Sequence, residues 1–293
     1  MTALKKKGGT EKSRLVTLQM VAERAGLTKG ICSAVLNKSA ASRSVPEQTQ
    51  KRILAVAREL NYRPSFYALN LGVKRTYLIG VVTQEIGDFY SWPIISGIER
   101  YLRQKNFFFL TVAHRHDPTL LETDSYLLLD RGVEGFITLD TFVDHPLPLP
   151  TVAVPGHRRM EGVTNIVLDH RKGAWLALSH LIKLGHKEIA FMKGSDVSPD
   201  SEDRWKAIRE VAKKLGIRIR AELIVQLEGV DATPELGYPF AKELLARDRL
   251  FTALFAYNDV SAIGSIRAFQ DAGLRVPEDV SVVGFDRYKN CRA

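Results

Sequence analysis

From Thr76 onward the chain alternates short apolar runs with longer amphipathic stretches, and this alternation restricts the folds open to it. Tyr77–Thr83, Phe107–Ala113, Gly135–Leu139, Thr151–Val154, Val163–Leu168, Glu188–Met192, Glu222–Val225, Thr252–Ala256 and Val280–Phe285 read as strands. Ile94–Lys105, Leu120–Arg131, Trp175–Leu184, Arg204–Leu215, Pro239–Ala246 and Val260–Ala272 read as helices. Strands separated by helices pair in parallel, with the helices covering the sheet faces. Eight or more strands in roughly 215 residues suit two doubly wound lobes better than one sheet.

The first quarter follows a different period. In Val16–Asn37, Leu18, Val21, Ala22 and Ala25 recur at i, i+3, i+4 and i+7, one apolar helical face. Thr17 precedes that face as a cap, and Gly26 follows it where a left-handed residue costs least. Thr28 caps a second helix whose Ile31, Cys32, Val35 and Leu36 face back, leaving Lys29, Gly30 and Ser33 outward. After a polar loop, Lys38–Ser44, Pro46 opens a third helix with Ile53, Val56, Ala57 and Leu60 inward. The expected fold class is therefore a small all-α helix-turn-helix domain followed by α/β, two doubly wound parallel-sheet lobes. A helix, a turn with Gly and a second helix suit either a DNA-binding helix-turn-helix or an ordinary helical hairpin.

Charge separates those readings. Residues 1–76 hold 15 Lys and Arg against 4 Asp and Glu, while the remainder holds 27 against 29. The basic excess is confined to the helical segment, the footprint of a polyanion partner. The basic residues 1–14 form an arm that either touches phosphates or stays solvated. Two cysteines, Cys32 and Cys291, make no disulfide framework, and Cys32 falls on a packed helix face. No run of 18 apolar residues exists and the N-terminus lacks a secretory apolar stretch, so a cytoplasmic protein without membrane partners is expected. There is no Gly-rich phosphate loop, G-x-S-x-G or H-E-x-x-H, so neither catalysis nor a cofactor is expected. His114, His116 and Asp117 lack further ligands for a metal and suit a surface or crevice rim.

Longer words carry a family likeness. V-T-L-x-x-V-A-E-R-A-G-L-T, V-L-N, E-L-N-Y-R-P and L-I-G-V-V, in order from Val16 to Val82, resemble the start of the LacI–GalR family of bacterial transcriptional repressors. I-V-L-D-H-x-x-G, H-L-I-K-L-G-H-K-E-I-A, D-R-W-K-A-I, A-Y-N-D-V and G-L-R-V-P-E-D-V-S-V-V-G-F-D resemble its effector-binding domain, itself similar to periplasmic sugar-binding proteins. The resemblance implies a homodimer on a pseudo-palindromic double-stranded DNA operator, controlled by a small-molecule effector, a sugar or derivative. It divides the chain into an arm (1–14), a DNA-binding domain (15–63), a hinge (64–75) and two lobes (76–165 and 166–293). It also implies a hinge helix that wedges Leu71 into the minor groove, although Asn70 and Gly72 are equally suited to a plain linker.

The DNA-contacting set expected on this reading is Thr17, Thr28, Lys29, Gly30, Ser33, Asn37, Tyr62 and Leu71. The family commonly has Thr-Val-Ser-Arg where this chain has Ile31-Cys32-Ser33-Ala34, so base readout is expected to fall to Lys29 and Ser33. Ligands of open α/β sheets bind beyond the C-terminal strand ends. That rule selects Gln84, Phe89, Tyr90, His114 and Asp140 in the first lobe, and Asn258 and Asp286 in the second. By resemblance, Arg204, Asn258 and Asp286 hydrogen-bond the effector. Phe89, Tyr90 or Trp92 supplies an aromatic face or else packs in the core or a dimer, and Asp169 reads as structural.

After Asp286 the chain departs from the family, with Arg287 and then YKNCRA. The family continues for roughly fifty residues past this point, so the second lobe is expected to be incomplete, the first lobe to expose an apolar strip, and the regulator to be poorly inducible. The rivals are a periplasmic-type sugar-binding protein without a regulatory role and a small-molecule enzyme. The basic head argues against the first, and the missing nucleophile, metal set and cofactor loop against the second.

Overall fold

Two kinds of apolar periodicity build two units in the computed structural model, Met1–Thr76 and Tyr77–Ala293. The described residues are 16–286, apart from 64–74, 88–89, 142, 144, 156–159, 197, 199, 230–232 and 248–250.

The head has three helices, α1 (Leu18–Ala25), α2 (Lys29–Leu36) and α3 (Glu47–Glu59). Both predicted caps form: Thr17 Oγ1 accepts from the Met20 N–H and Thr28 Oγ1 from the Ile31 N–H, each at 3.4 Å. Gly26 ends α1 at φ +66°, a left-handed turn that a Cβ would strain. Ala22, Ala25, Cys32, Val35 and Ile53 form the core, with Leu18, Leu27, Leu36 and Val56 packed around it. Two expectations are corrected. Ile31 is exposed, because it stands at the edge of the inward face set by Cys32 and Val35, about a hundred degrees from Cys32. Ala40–Ser44 is a 3-10 turn, not a plain loop. The Ser42 and Ser44 hydroxyls donate to the Ser39 and Ala41 carbonyls, and the Gln50 amide donates to Ser42 and Val45, so its backbone is satisfied locally.

The larger unit contains two parallel sheets. In the first, β1 (Leu78–Thr83), β2 (Phe108–Ala113), β3 (Phe136–Leu139), β4 (Thr151–Val154) and β5 (Val163–Asn165) lie in the order β2-β1-β3-β4-β5. Helix α4 (Ser91–Gln104) connects β1 to β2, and α5 (Pro118–Asp130) connects β2 to β3. After β5 the chain leaves the sheet: Ile166, Val167 and Leu168 are exposed, not strand as expected, and Asp169 caps α6 (His170–Lys183) by accepting from the Lys172 N–H.

The second sheet, in the order β7-β6-β8-β9, uses β6 (Ile189–Lys193), β7 (Ile224–Gln226), β8 (Ala253–Phe255) and β9 (Ser281–Val283). Its crossover helices are α7 (Ser201–Lys214), α8 (Gly237–Ala246) and α9 (Asp259–Asp271). Both faces are covered. Ile189, Phe191, Ala253 and Phe255 join one core with Leu178 and Val211, while Ala190, Met192, Leu254 and Ala256 join another with Leu244 and Phe269. Period-two alternation within uniformly apolar strands is what a doubly covered sheet requires. Glu222 and Leu223, expected in β7, form a 3-10 turn before it, and Gly284 and Phe285 lie beyond β9.

Candidate functional site

The second helix of the head meets the expectation for Lys29 and Gly30 but not fully for Ser33. Lys29, Gly30 and Asn37 are exposed and Ser33 is half-buried, with Asn37 Nδ2 donating to Ser33 Oγ at 3.1 Å. No Cβ fills the space beside Gly30, where nothing lies within 4 Å. Thr17 and Thr28 are exposed as well as capping. Tyr62 is half-buried, and burial raises its phenol pKa. Leu71 lies outside the described residues. Arg24 ties α1 to Glu59 of α3 at 2.8 Å across the surface.

In the larger unit, side chains from both sheets line a cavity of about 1140 Å³. Gln84, His114, His116 and Asp140 come from the C-terminal ends of β1, β2 and β3, and Lys193, Asp196, Ser198, Ser201, Glu202 and Trp205 from β6, the following loop and α7. Of the residues the switch-point rule selects, Gln84, His114 and Asp140 line this cavity. His114, expected at the surface or rim, is buried. Its Nε2 lies 3.2 Å from Thr141 Oγ1, whose own proton goes to the Leu139 carbonyl at 2.7 Å, so Nε2 is the donor. Gln84 donates to the Asp140 carboxylate and carbonyl, at 3.0 Å each, and accepts from His116. Burial holds both imidazoles below their ordinary pKa; repulsion between the rings further lowers that of His114. His116 and Asp140 occupy left-handed backbone, φ +62° and +44°. His and Asp tolerate that region better than most residues, and such strain concentrates at functional sites.

Beneath this wall sits Arg204, 3% exposed. Its guanidinium lies between Phe285 and Tyr257, 3.9 and 4.4 Å from the ring centroids. It donates to the Tyr257 carbonyl at 2.7 Å and to Asp200 at 3.2 Å, and Asp200 also meets His170 at 3.3 Å. Arg204 Nε has no hydrogen-bond partner among the described residues. Gly194 lets the Tyr257 ring approach, since a Cβ there would overlap it. Burial is the main cause raising the Tyr257 phenol to about 12, with the Asp200 and Asp140 charges adding to it against Arg204. The Tyr90 phenol is raised further, by burial and then by Asp200, Asp140 and Asp286. These couplings bring Tyr90, Asp140, Arg204 and Asp286 into one electrostatic neighbourhood.

The seven expected effector residues therefore divide. His114 and Asp140 line the cavity; Tyr90, Arg204 and Asp286 belong to the charged network; Asn258 caps α9 by accepting from the Ser261 N–H at 2.8 Å; Phe89 lies outside the described residues. Trp92 is 64% exposed and is not among the cavity's lining residues, which include Tyr126 and Trp205 instead. Asp200 and Tyr257 were missed. Asp200 lies four residues before Arg204, the spacing of a helical ion pair.

The bacterial regulatory proteins, lacI family model matches residues 17–65, and a periplasmic binding protein-like domain model matches 178–290. The HTH-type transcriptional repressor PurR of Haemophilus influenzae is 31% identical over 281 residues, spanning 93% of this chain and 81% of that protein. The chain belongs to the lacI family. Among solved structures of the family, the lac repressor dimer bound to operator and the anti-inducer ONPF is similar at TM-score 0.78 and 27% identity, covering 92% of this chain and 82% of that one. A transcriptional regulator CelR–cellobiose complex is similar at TM-score 0.63 and 28% identity, with the same coverage. This lacI-family chain is thus a transcriptional regulator with a helix-turn-helix head, and its described helices include none long and apolar enough to cross a membrane.

Proposed function

We propose that this lacI-family protein is a repressor that binds a pseudo-palindromic double-stranded operator as a homodimer and is controlled by a sugar or sugar derivative held between its two sheets. The confinement of the basic excess to the helix-turn-helix segment carries the DNA reading. The helix-turn-helix unit is residues 15–63, preceded by the arm 1–14 and followed by the hinge 64–75. The lobes are 76–165 and 166–293. Lys29 and Ser33 read bases, Gly30 allows close approach, and Thr17, Thr28, Asn37 and Tyr62 fix the head on the duplex. Leu71 wedges the minor groove. The lac repressor's operator-bound dimer supports the assembly, because two heads must span two half-sites.

Behind Ser201 and Trp205, which line the crevice, Arg204 is held rigid by two rings and Asp200, with Nε left to donate. Asp140, His114, Tyr90, Phe89, Asn258 and Asp286 complete the effector site. The CelR–cellobiose complex supports a carbohydrate ligand. DNA and effector affinities are then coupled reciprocally. The test is selection of a duplex from a random library, followed by gel shifts against salt. If a dimer neutralises about six phosphates, log K falls against log salt with slope roughly −5. A slope near zero removes the DNA reading.

A further inference from the structure

The connection from β3 to β4 departs from what a parallel sheet calls for. Parallel neighbours are ordinarily joined by a crossover helix that covers the sheet. Here residues 140–150 contain no helix among their described residues, and Pro146, Pro148 and Pro150 favour an extended path. In strand order, β1 to β2 moves one way across the sheet, while β2 to β3 and β3 to β4 both move the other. Right-handed crossovers then put α5 and this connection on the same face. Where a second helix would lie against α5, a thin strap lies instead.

The cavity occupies that gap. Pro118, Leu121, Glu122, Ser125, Tyr126 and Leu129 of α5 all line it, a continuous stripe at i, i+3, i+4, i+7, i+8 and i+11. Such a stripe ordinarily packs against a neighbouring element. Val143, His145, Pro146, Leu147 and Pro148 of the strap line it as well. The same cavity runs without interruption to the polar crevice, where Gln84, His116, Asp140 and Lys193 line its other end. Its volume, about 1140 Å³, exceeds the roughly 300–1,000 Å³ of common ligand pockets.

We propose that the effector is amphipathic. Its hydroxylated head occupies the crevice, and an uncharged apolar substituent, aryl or alkyl, lies in the groove between α5 and the strap. This rests on the crevice being the effector site. The continuity of the groove with that crevice identifies the occupant, since one molecule spans both ends. A groove held by a tail makes Tyr126 and Leu129 specificity-determining residues, which discriminate an apolar glycoside from its free sugar.

The test uses the full chain and the uncharged fluorescent probe N-phenyl-1-naphthylamine. The probe is expected to bind saturably at one site per chain, and to receive energy transfer from Trp205, which lines the same cavity. Tyr126→Glu puts a second carboxylate on the groove wall, beside Glu122, and is expected to weaken binding roughly tenfold or more. Tyr126 is exposed, so the fold tolerates the change. Leu120→Glu, exposed on the same helix but off the cavity wall, is expected to leave binding unchanged. In a Trp92→Phe/Trp175→Phe background, which leaves Trp205 as the sole indole, Trp205→Phe is expected to abolish the transfer. No saturable binding, or equal loss in both glutamate variants, overturns the groove. Loss confined to Tyr126→Glu with transfer unaffected by Trp205→Phe overturns its continuity with the crevice. Neither outcome touches the crevice reading, which fails separately if no sugar or glycoside shifts the melting of the wild-type chain.

Discussion

Single side chains here carry distinct and separable duties. Lys29 stands exposed at the start of α2, so Lys29→Ala is expected to cost about 1–3 kcal/mol of operator binding and to relax preference at one base position. Equal weakening on every duplex, measured by competition gel shift, makes it a phosphate contact instead. Gly194 is a packing counterpart. Gly194→Ala pushes the Tyr257 ring off the Arg204 guanidinium, and overpacking of this kind costs about 1–3 kcal/mol. Thermal melting is expected to drop while DNA affinity without effector holds. Arg204 was legible as a family position, but its setting was not. The sandwich joins Tyr257 and Phe285, more than fifty residues further along the chain, and no local pattern encodes that meeting. Trp205 was likewise hidden, because its period marked it simply as a helical residue, whereas Trp92 looked eligible from its place after β1 and proved exposed.

At the scale of elements, apolar period located the α-helices and strands among the described residues of the larger unit, but not its 3-10 turns, and it trailed the helix starts. Helices α4, α6 and α7 begin at Ser91, His170 and Ser201, about a turn before Ile94, Trp175 and Arg204. The first turn of a helix is polar or holds Pro93, because its N–H groups need caps rather than a core, so the apolar rhythm begins one turn late. Caps were readable where a hydroxyl preceded the rhythm. Thr28→Ala is expected to destabilise the head by about 1 kcal/mol, read as a lower urea midpoint of the head transition. The strap was not readable as an absence of helix, since proline content marks an irregular segment without saying which face it leaves open. The paired imidazoles of the β2 terminus add a pH dependence. Both have folded pKa values below their unfolded value near 6.5, so the unfolded chain binds more protons as pH falls. Stability is fully present above that value and is lost as pH drops through the folded pKa values. Urea midpoints between pH 7.5 and 5 are expected to slope downward, and to flatten in His114→Asn/His116→Asn.

For the whole molecule, the division at Thr76 means that two stabilities coexist in one chain. Among the described residues, the largest fully enclosed side chains include Ile53 in the head, against Phe136, Phe191, Phe255, Phe269 and several Leu residues in the larger unit. Small cores are marginal, so the head is expected to open well before the rest. Cys32 turns that difference into a clock. Its thiol has no solvent exposure, and burial raises its pKa, so an alkylating reagent reaches it only during an opening of the head. In a Cys291→Ser background, the alkylation rate counts those openings one chain at a time, blind to events in the sheets. Duplex that binds the closed head is expected to slow the clock in proportion to its occupancy, and an effector that loosens the head from DNA to restart it. A rate indifferent to operator would mean that the head grips DNA without being stabilised by it.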